Sequence, residues 1–233
     1  MQRVTSAVVR PRSAPFADRF QQAVLLASAR ESVVFVVDDD ISVRESLEAL
    51  FLQEGWEVRT YASAQDFLSS PKTSVPSCLV LDLNLPDLSG LDLQQRIAPN
   101  RSHLPVIFIT GCGDVPTTVR AMKAGAVEFL TKPFDSIAIL DAVRDALERS
   151  RIALERSYQM DAVLTCYGLL SQRERQVMSL VVTGLLNKQI AHELGISEIT
   201  VKAHRGQVMR KMSASSLAEL INQAAKLGLG RKL

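Results

Sequence analysis

Six side chains have types that could do chemistry together: Asp38, Asp39 and Asp40 in one run, then Asp82, Thr110 and Lys132. Clustered carboxylates repel one another unless something neutralises them, and a hard divalent cation held by oxygen ligands does so. Mg²⁺ commonly takes one or two carboxylates together with waters and phosphate oxygens. Lys132 would add a mobile ammonium for a phosphoryl oxygen, and Thr110 a hydroxyl donor. Each residue also has a plainer reading. An Asp triplet often sits in a turn where carboxylates cap a helix, a Thr can simply end a strand, and Lys-Pro is common in loops. The choice depends on whether the fold brings these positions together.

The elements expected around them do so. From Val33 short apolar runs alternate with stretches of helical period, giving strands at 33–37, 57–61, 78–81, 106–109 and 127–130. Helices are expected between and after them at 43–53, 64–68, 91–97, 115–124 and 136–149. Five such units fit a five-stranded, doubly wound parallel sheet of α/β class, because parallel strands need crossover helices and are near-continuously apolar. The Asp triplet follows the first strand, Asp82 ends the third, Thr110 the fourth, and Lys132 follows the fifth. All are carboxyl ends, the rim on which such sheets bind ligands.

The runs VVDDD, LDLNLPDLSG, FITG and FLTKPF closely resemble the receiver domain of bacterial two-component response regulators, over about residues 32 to 150. That resemblance implies a flavodoxin-like fold in which Asp82 is the phosphoacceptor, attacking the phosphohistidine of a sensor kinase as a carboxylate nucleophile. It implies that Asp39 and Asp82 bind Mg²⁺ directly with the backbone carbonyl of Asn84, and that Asp38 acts largely through water. Thr110 and Lys132 would hold the phosphoryl group, with Lys132-Pro133 as a cis peptide. Phe129 occupies the position of the switch aromatic, paired in that role with Thr110, although a Phe in an apolar strand is by composition core.

Of the 233 residues 47% are hydrophobic and 22% charged, which excludes a disordered chain. The length suggests two domains. No apolar run approaches the roughly 18 to 20 residues a membrane helix needs, so no membrane partner is expected. Three scattered cysteines, Cys78, Cys112 and Cys166, suit a reducing, cytoplasmic setting and neither a disulfide framework nor a Cys-x-x-Cys metal site. The net charge of +2 hides a division: residues 1–30 carry +4, residues 31–150 carry −8 and residues 151–233 carry +6. An acidic middle suggests cation chemistry and a basic end a polyanion partner. The expected organisation is a flexible extension at 1–31, a receiver at 32–150, a helical linker at 151–165 and a small all-α domain at 166–233. In the linker region Leu140, Leu147 and Leu154 recur every seven residues. Ser150 and Ser157 interrupt a second seam, and Asp161 ends the first. Both a solvated connecting helix and one that pairs with its copy remain open.

The basic segment reads as short helices. Ser171 and Glu174 have the spacing of reciprocal caps at a helix start, and that helix ends at Gly184. A second helix from Asn187, taken as its N-cap, runs to Leu194. Gly195 turns the chain before Ser197 caps a third. Two short helices joined by a Gly turn suggest a helix-turn-helix. On the third helix, Val208 and Met212 lie within about 20° of Val201 at roughly 100° per residue, which defines the buried side. Ala203, Gly206, Gln207 and Arg210 fall opposite, with Lys202 at the margin, a face of small residues and long donors suited to a major groove. The run from Leu170 to Met212 resembles the DNA-binding domain of LuxR-type regulators, and with the receiver it indicates the NarL/FixJ subfamily. The candidate DNA-contacting residues are Asn187, Lys188, Thr200, Lys202, Ala203, Arg205, Gln207, Arg210 and Lys211. Lys202 leads for base reading; Arg205 is expected at a phosphate or in packing, His204 in packing or at a phosphate, and Lys188 and Lys211 either at phosphates or as solvated surface charges.

Together these readings imply a transcription regulator that takes a phosphoryl group from a sensor histidine kinase, self-dephosphorylates, and turns over no small-molecule substrate. Phosphorylation would favour a homodimer on a promoter of two half-sites in double-stranded DNA. A DNA-binding protein with an inert receiver as scaffold is disfavoured, since a scaffold needs none of Asp39, Asp82, Thr110 and Lys132. A small-molecule phosphatase usually places an acid two residues after its nucleophile, where this chain has Asn84.

Overall fold

A computed structural model of the chain describes residues 32–99, 101, 103–111 and 115–229; the extension at 1–31, Cys112 and residues 230–233 lie outside the described residues. The chain divides into two compact units between Tyr158 and Gln159.

The N-terminal unit is a parallel sheet of five strands, β1 (Val33–Val37), β2 (Glu57–Tyr61), β3 (Ser77–Asp82), β4 (Val106–Thr110) and β5 (Glu128–Thr131), in the order β2-β1-β3-β4-β5. Its helices are α1 (Ile41–Gln53), α2 (Ala64–Ser69), α3 (Gly90–Ile97), α4 (Val115–Lys123) and the start of α5 (Ser136–Gly168). Strand side chains alternate between two cores. Val33, Phe35 and Val37 join Leu79, Leu81 and Phe108 beneath residues of α2, α3 and α4, whereas Val34 and Val36 join Val80, Ile107 and Ile109 beneath α1 and α5. Both faces are therefore covered, as the continuous apolar runs require.

α5 is a single helix of 33 residues, without a break between the expected final receiver helix and the linker. Two of the three heptad leucines are used within the unit: Leu147 is part of the α1/α5 core and Leu140 packs against it. Ser150, which interrupts the second seam, is wholly buried, not solvated. Its hydroxyl accepts from the Ser77 backbone N–H (3.0 Å) and donates to the His103 carbonyl (2.6 Å), so one side chain closes the starts of β3 and β4 against the helix.

The C-terminal unit contains the end of α5 and α6 (Gln172–Val182), α7 (Asn187–Leu194), α8 (Glu198–Lys211) and α9 (Leu217–Lys226) around Val177, Met178, Ile190, Val201, Val208 and Leu220. Ser171 and Glu174 form the expected capping box. α7 corrects the sequence reading: its N-cap is Leu186, whose N–H donates to Gln189 Oε1 (2.8 Å), so Asn187 is already the first helical residue. Gly195 closes α7 at φ 62°, a left-handed position that favours glycine. The buried Glu174 does a second task, accepting from Lys211 Nζ at 2.7 Å and tying α6 to the end of α8.

Two stability outcomes follow from these buried polar joints. Ser150→Ala leaves the Ser77 N–H without its acceptor and should lower the stability of the N-terminal unit by about 1–3 kcal/mol, read from Trp56 fluorescence in urea. The hydrogen bond from Lys211, with the Ser171 backbone donor, holds the Glu174 carboxyl below its ordinary range. Its contribution is thus full above the unfolded carboxyl value of about 4.3 and lost as pH falls through the lower folded value. The advantage of the wild type over Glu174→Gln, followed by hydrogen exchange of α6 and α8 amides, should shrink from about pH 6 to pH 3.

Candidate functional site

The register fixes where the strands deliver their polar ends. Val37 pairs with Leu81 and Asp82 with Ile109, so Asp38, Asp82 and Thr110 leave adjacent strands at one rim, and Thr110 pairs with Thr131 beside Lys132. Oxygens of Asp38, Asp39 and Asp82 lie within 4.8 Å of one another. Asp38 is wholly buried, Asp82 nearly so, and Asp39 exposed. Lys132 Nζ donates to Asp38 Oδ2 at 2.5 Å and lies 3.3 Å from Asp82 Oδ1. Thr110 is wholly buried, and its backbone carbonyl accepts from the Lys132 N–H at 2.7 Å. Lys132-Pro133 is cis.

The Asp triplet divides its labour. Asp40 is the N-cap of α1, accepting from the Ser42 N–H at 2.8 Å, which is the plainer reading of an Asp in a turn. Asp38 and Asp39 remain for the cluster. Asn84 meets Asp82 through its backbone N–H, which donates to Oδ2 at 3.1 Å. Phe129 is half-buried, packs on the α2/α3/α4 core and places its ring 6.5 Å from that of Phe108.

Burial pushes the Asp82 carboxyl above its ordinary range; the Lys132 ammonium pulls against this, the Asp38 charge adds to it, and the net direction is upward. Burial also works against the Lys132 ammonium, but its hydrogen bond to Asp38 and the charges of both acids outweigh it, so its pKa is raised. Three carboxylates outnumber the Lys132 ammonium and the Arg44 guanidinium that bonds the carbonyls of the same turn, so the cluster keeps an excess of negative charge. An all-oxygen donor set with that excess fits a hard divalent cation such as Mg²⁺, held through Asp38, Asp39 and Asp82.

Three residues that sequence reasoning passed over shape this rim. Arg44 on α1 donates to the backbone carbonyls of Asp38 (2.7 Å) and Asp39 (3.0 Å), holding the acidic turn. The sequence carried a signal for it, since a cation near a helix start opposes the helix dipole unless acids face it. Asp87 accepts from the Ala64 and Gln65 N–H groups at the start of α2, which anchors the loop after Asp82. Gly90 is required by proximity: a Cβ there would lie 2.5 Å from the Asp82 carbonyl oxygen.

In the C-terminal unit α8 buries Val201 and Val208 and exposes Lys202, Ala203, Gly206, Gln207 and Arg210, the face that helical projection separates. Lys188 is exposed near the start of α7. Arg205 and Asn187, both half-buried, bond to each other, Nη1 to Oδ1 at 3.0 Å. The Thr200 hydroxyl lies 2.8 Å from that of the α8 cap, Ser197. Lys211, half-buried, forms an ion pair with Glu174 at 2.7 Å, a contact within the fold.

Comparison with known proteins agrees with both units. The response regulator receiver domain matches residues 34–144, and the family of bacterial regulatory proteins, luxR family, matches residues 168–224. Nodulation protein W of Bradyrhizobium diazoefficiens is 52% identical over 202 residues, covering 87% of this chain and 89% of that one. The transcriptional regulatory protein FixJ of Azorhizobium caulinodans is 46% identical over 199 residues, covering 84% and 93%. A low-resolution structure of the response regulator StyR matches with a TM-score of 0.76 at 45% identity, over 84% of this chain and 98% of that one. With a receiver match over the carboxylate rim, a luxR-family match over the exposed helix face, and relatives aligned along most of their length, the chain belongs to the response regulators of the NarL/FixJ type.

Proposed function

We propose that this response regulator receives a phosphoryl group on Asp82 from a sensor histidine kinase and converts it into dimerisation and tighter promoter binding. The observation that carries the reading is the meeting of Asp38, Asp39, Asp82 and Lys132 at one strand-end rim. A carboxylate oxygen of Asp82 attacks the phosphorus, the P–N bond to the kinase histidine breaks, and an acyl phosphate forms. Lys132 stands within reach of the incoming phosphoryl oxygens, and Thr110 ends the neighbouring strand to hold them. Asp38, Asp39 and Asp82, with the Asn84 carbonyl, would hold Mg²⁺, which supplies positive charge against the transferring group. Water then hydrolyses the acyl phosphate, which resets the protein.

The new charge and acceptor oxygens favour the arrangement in which Lys132 and Thr110 both reach the phosphoryl group. Thr110 ends β4 and Lys132 follows β5, so the face of α4, β5 with Phe129, and α5 changes with them. Pairing of that face with its copy brings two basic units to a promoter of two half-sites, and linkage raises affinity without a new base contact. On α8, Lys202 reads a base edge with Ala203 and Gln207 beside it. Arg210 and Lys188 meet phosphates, while Arg205, Asn187 and Thr200 position the helix at the backbone.

Asp82→Asn keeps the side-chain volume and removes the nucleophile. It should abolish labelling by acetyl phosphate or a kinase with the circular dichroism unchanged; undiminished labelling at another residue would refute the assignment. Asp39→Asn should raise the Mg²⁺ concentration needed for half-maximal labelling, and a variant that labels normally at low Mg²⁺ excludes Asp39 as a ligand. The labelled full-length protein should sediment as a dimer and bind a two-half-site duplex more tightly. A labelled monomer that still gains affinity would favour release of a masked recognition helix. Lys202→Ala should cost about 1–3 kcal/mol at the cognate site and relax specificity there; uniform weakening on all sequences with a lower salt slope would make it a phosphate contact.

A further inference from the structure

Ile199 is 83% exposed, the most exposed large apolar side chain among the described residues. It lies in the first turn of α8, two residues after the cap Ser197, where neither the cap nor the core calls for a β-branched hydrophobe. Val201 points into the unit and is wholly buried, and at about 100° per residue Ile199 falls about 160° from it. That direction is the middle of the outward face. Ala203 and Gly206 follow on the same stripe, one and two turns along, and both are exposed. A Cβ built at Gly206 meets nothing within 4 Å, so the stripe beyond Ile199 is low and open. Lys202 and Gln207 border it, and Arg210 continues it. A bare isoleucine with a shallow strip behind it and long donors beside it matches a major-groove floor, where the one apolar group on the base edges is the C5-methyl of thymine.

We infer that Ile199 is a specificity-determining residue of α8 that packs on a thymine methyl in the bound duplex. The inference rests on the reading of α8 as the groove-entering helix. Burying one methyl group is worth about 0.8 kcal/mol, or about fourfold in affinity. It favours thymine over cytosine without any hydrogen bond from Ile199, and it sits beside the polar readout of Lys202 and Gln207.

The full-length protein first selects its preferred duplex from a randomised pool. Each thymine of the selected site is then replaced singly by deoxyuridine, which lacks only the C5-methyl. One replacement should weaken wild-type binding about fourfold, while Ile199→Ala binds the two duplexes equally and Ile199→Val retains part of the difference. Ile199 faces solvent, so both variants should keep the wild-type circular dichroism. If no deoxyuridine weakens wild-type binding, or if Ile199→Ala feels the replacement as strongly as wild type, the inference is overturned. If the wild type enriches no sequence at all, α8 is not a reading helix, a different failure from that of Ile199.

Discussion

The carboxylates of Asp38, Asp39 and Asp82 are held within 4.8 Å of one another, and two of the three are buried. Left alone, such a cluster would drive its strand ends apart or take up protons. The surrounding structure is an answer to that repulsion. Lys132 reaches two of the acids, Arg44 grips the main-chain oxygens of the acidic turn, and the Asn84 N–H supports Asp82. The compensation is incomplete, which leaves the site with an appetite for cations and for chemistry that changes its charge.

Holding the acids in place is the task of the sheet. β1 and β3 are neighbours in register, so Asp38 and Asp82 emerge side by side without help from loops. The apolar faces of both strands are wholly buried on both sides, a rigid base for polar groups at their ends. At the opposite ends of β3 and β4, Ser150 locks the strand starts to α5. The sheet is thereby pinned at the end away from the acidic cluster and left polar at the end that carries it.

Much of this was legible because strand runs and their terminal residues lie together in sequence. VVFVV followed by DDD, and CLVL followed by Asp82, state both the element and the polar end at which the carboxylates gather. Less legible were roles set by partners distant in the chain. Asp40 looks identical to its two neighbours, and only the direction of α1 makes it a cap. Leu140 and Leu147 have coiled-coil spacing, but a helix packed on a sheet buries the same stripe, so period alone does not name the partner. Ser150 reads as a break in that stripe because its donor and acceptor partners lie 73 and 47 positions away. Lys211 reads as one more surface cation until Glu174, 37 positions earlier, is found buried beneath it.

The open ground around Gly206 has an evolutionary consequence. Its backbone is ordinary helix and nothing stands where a side chain would project, so almost any residue fits there at no cost to packing. Replacing glycine inside a helix generally gains stability, by about 0.5–1 kcal/mol for alanine. On the reading of α8 as the groove-entering helix, descendants of this chain can therefore try new groups on that face without first acquiring compensating changes in the core. On that reading operator preference is able to drift on the outer stripe of α8 while Val201 and Val208 stay fixed beneath it.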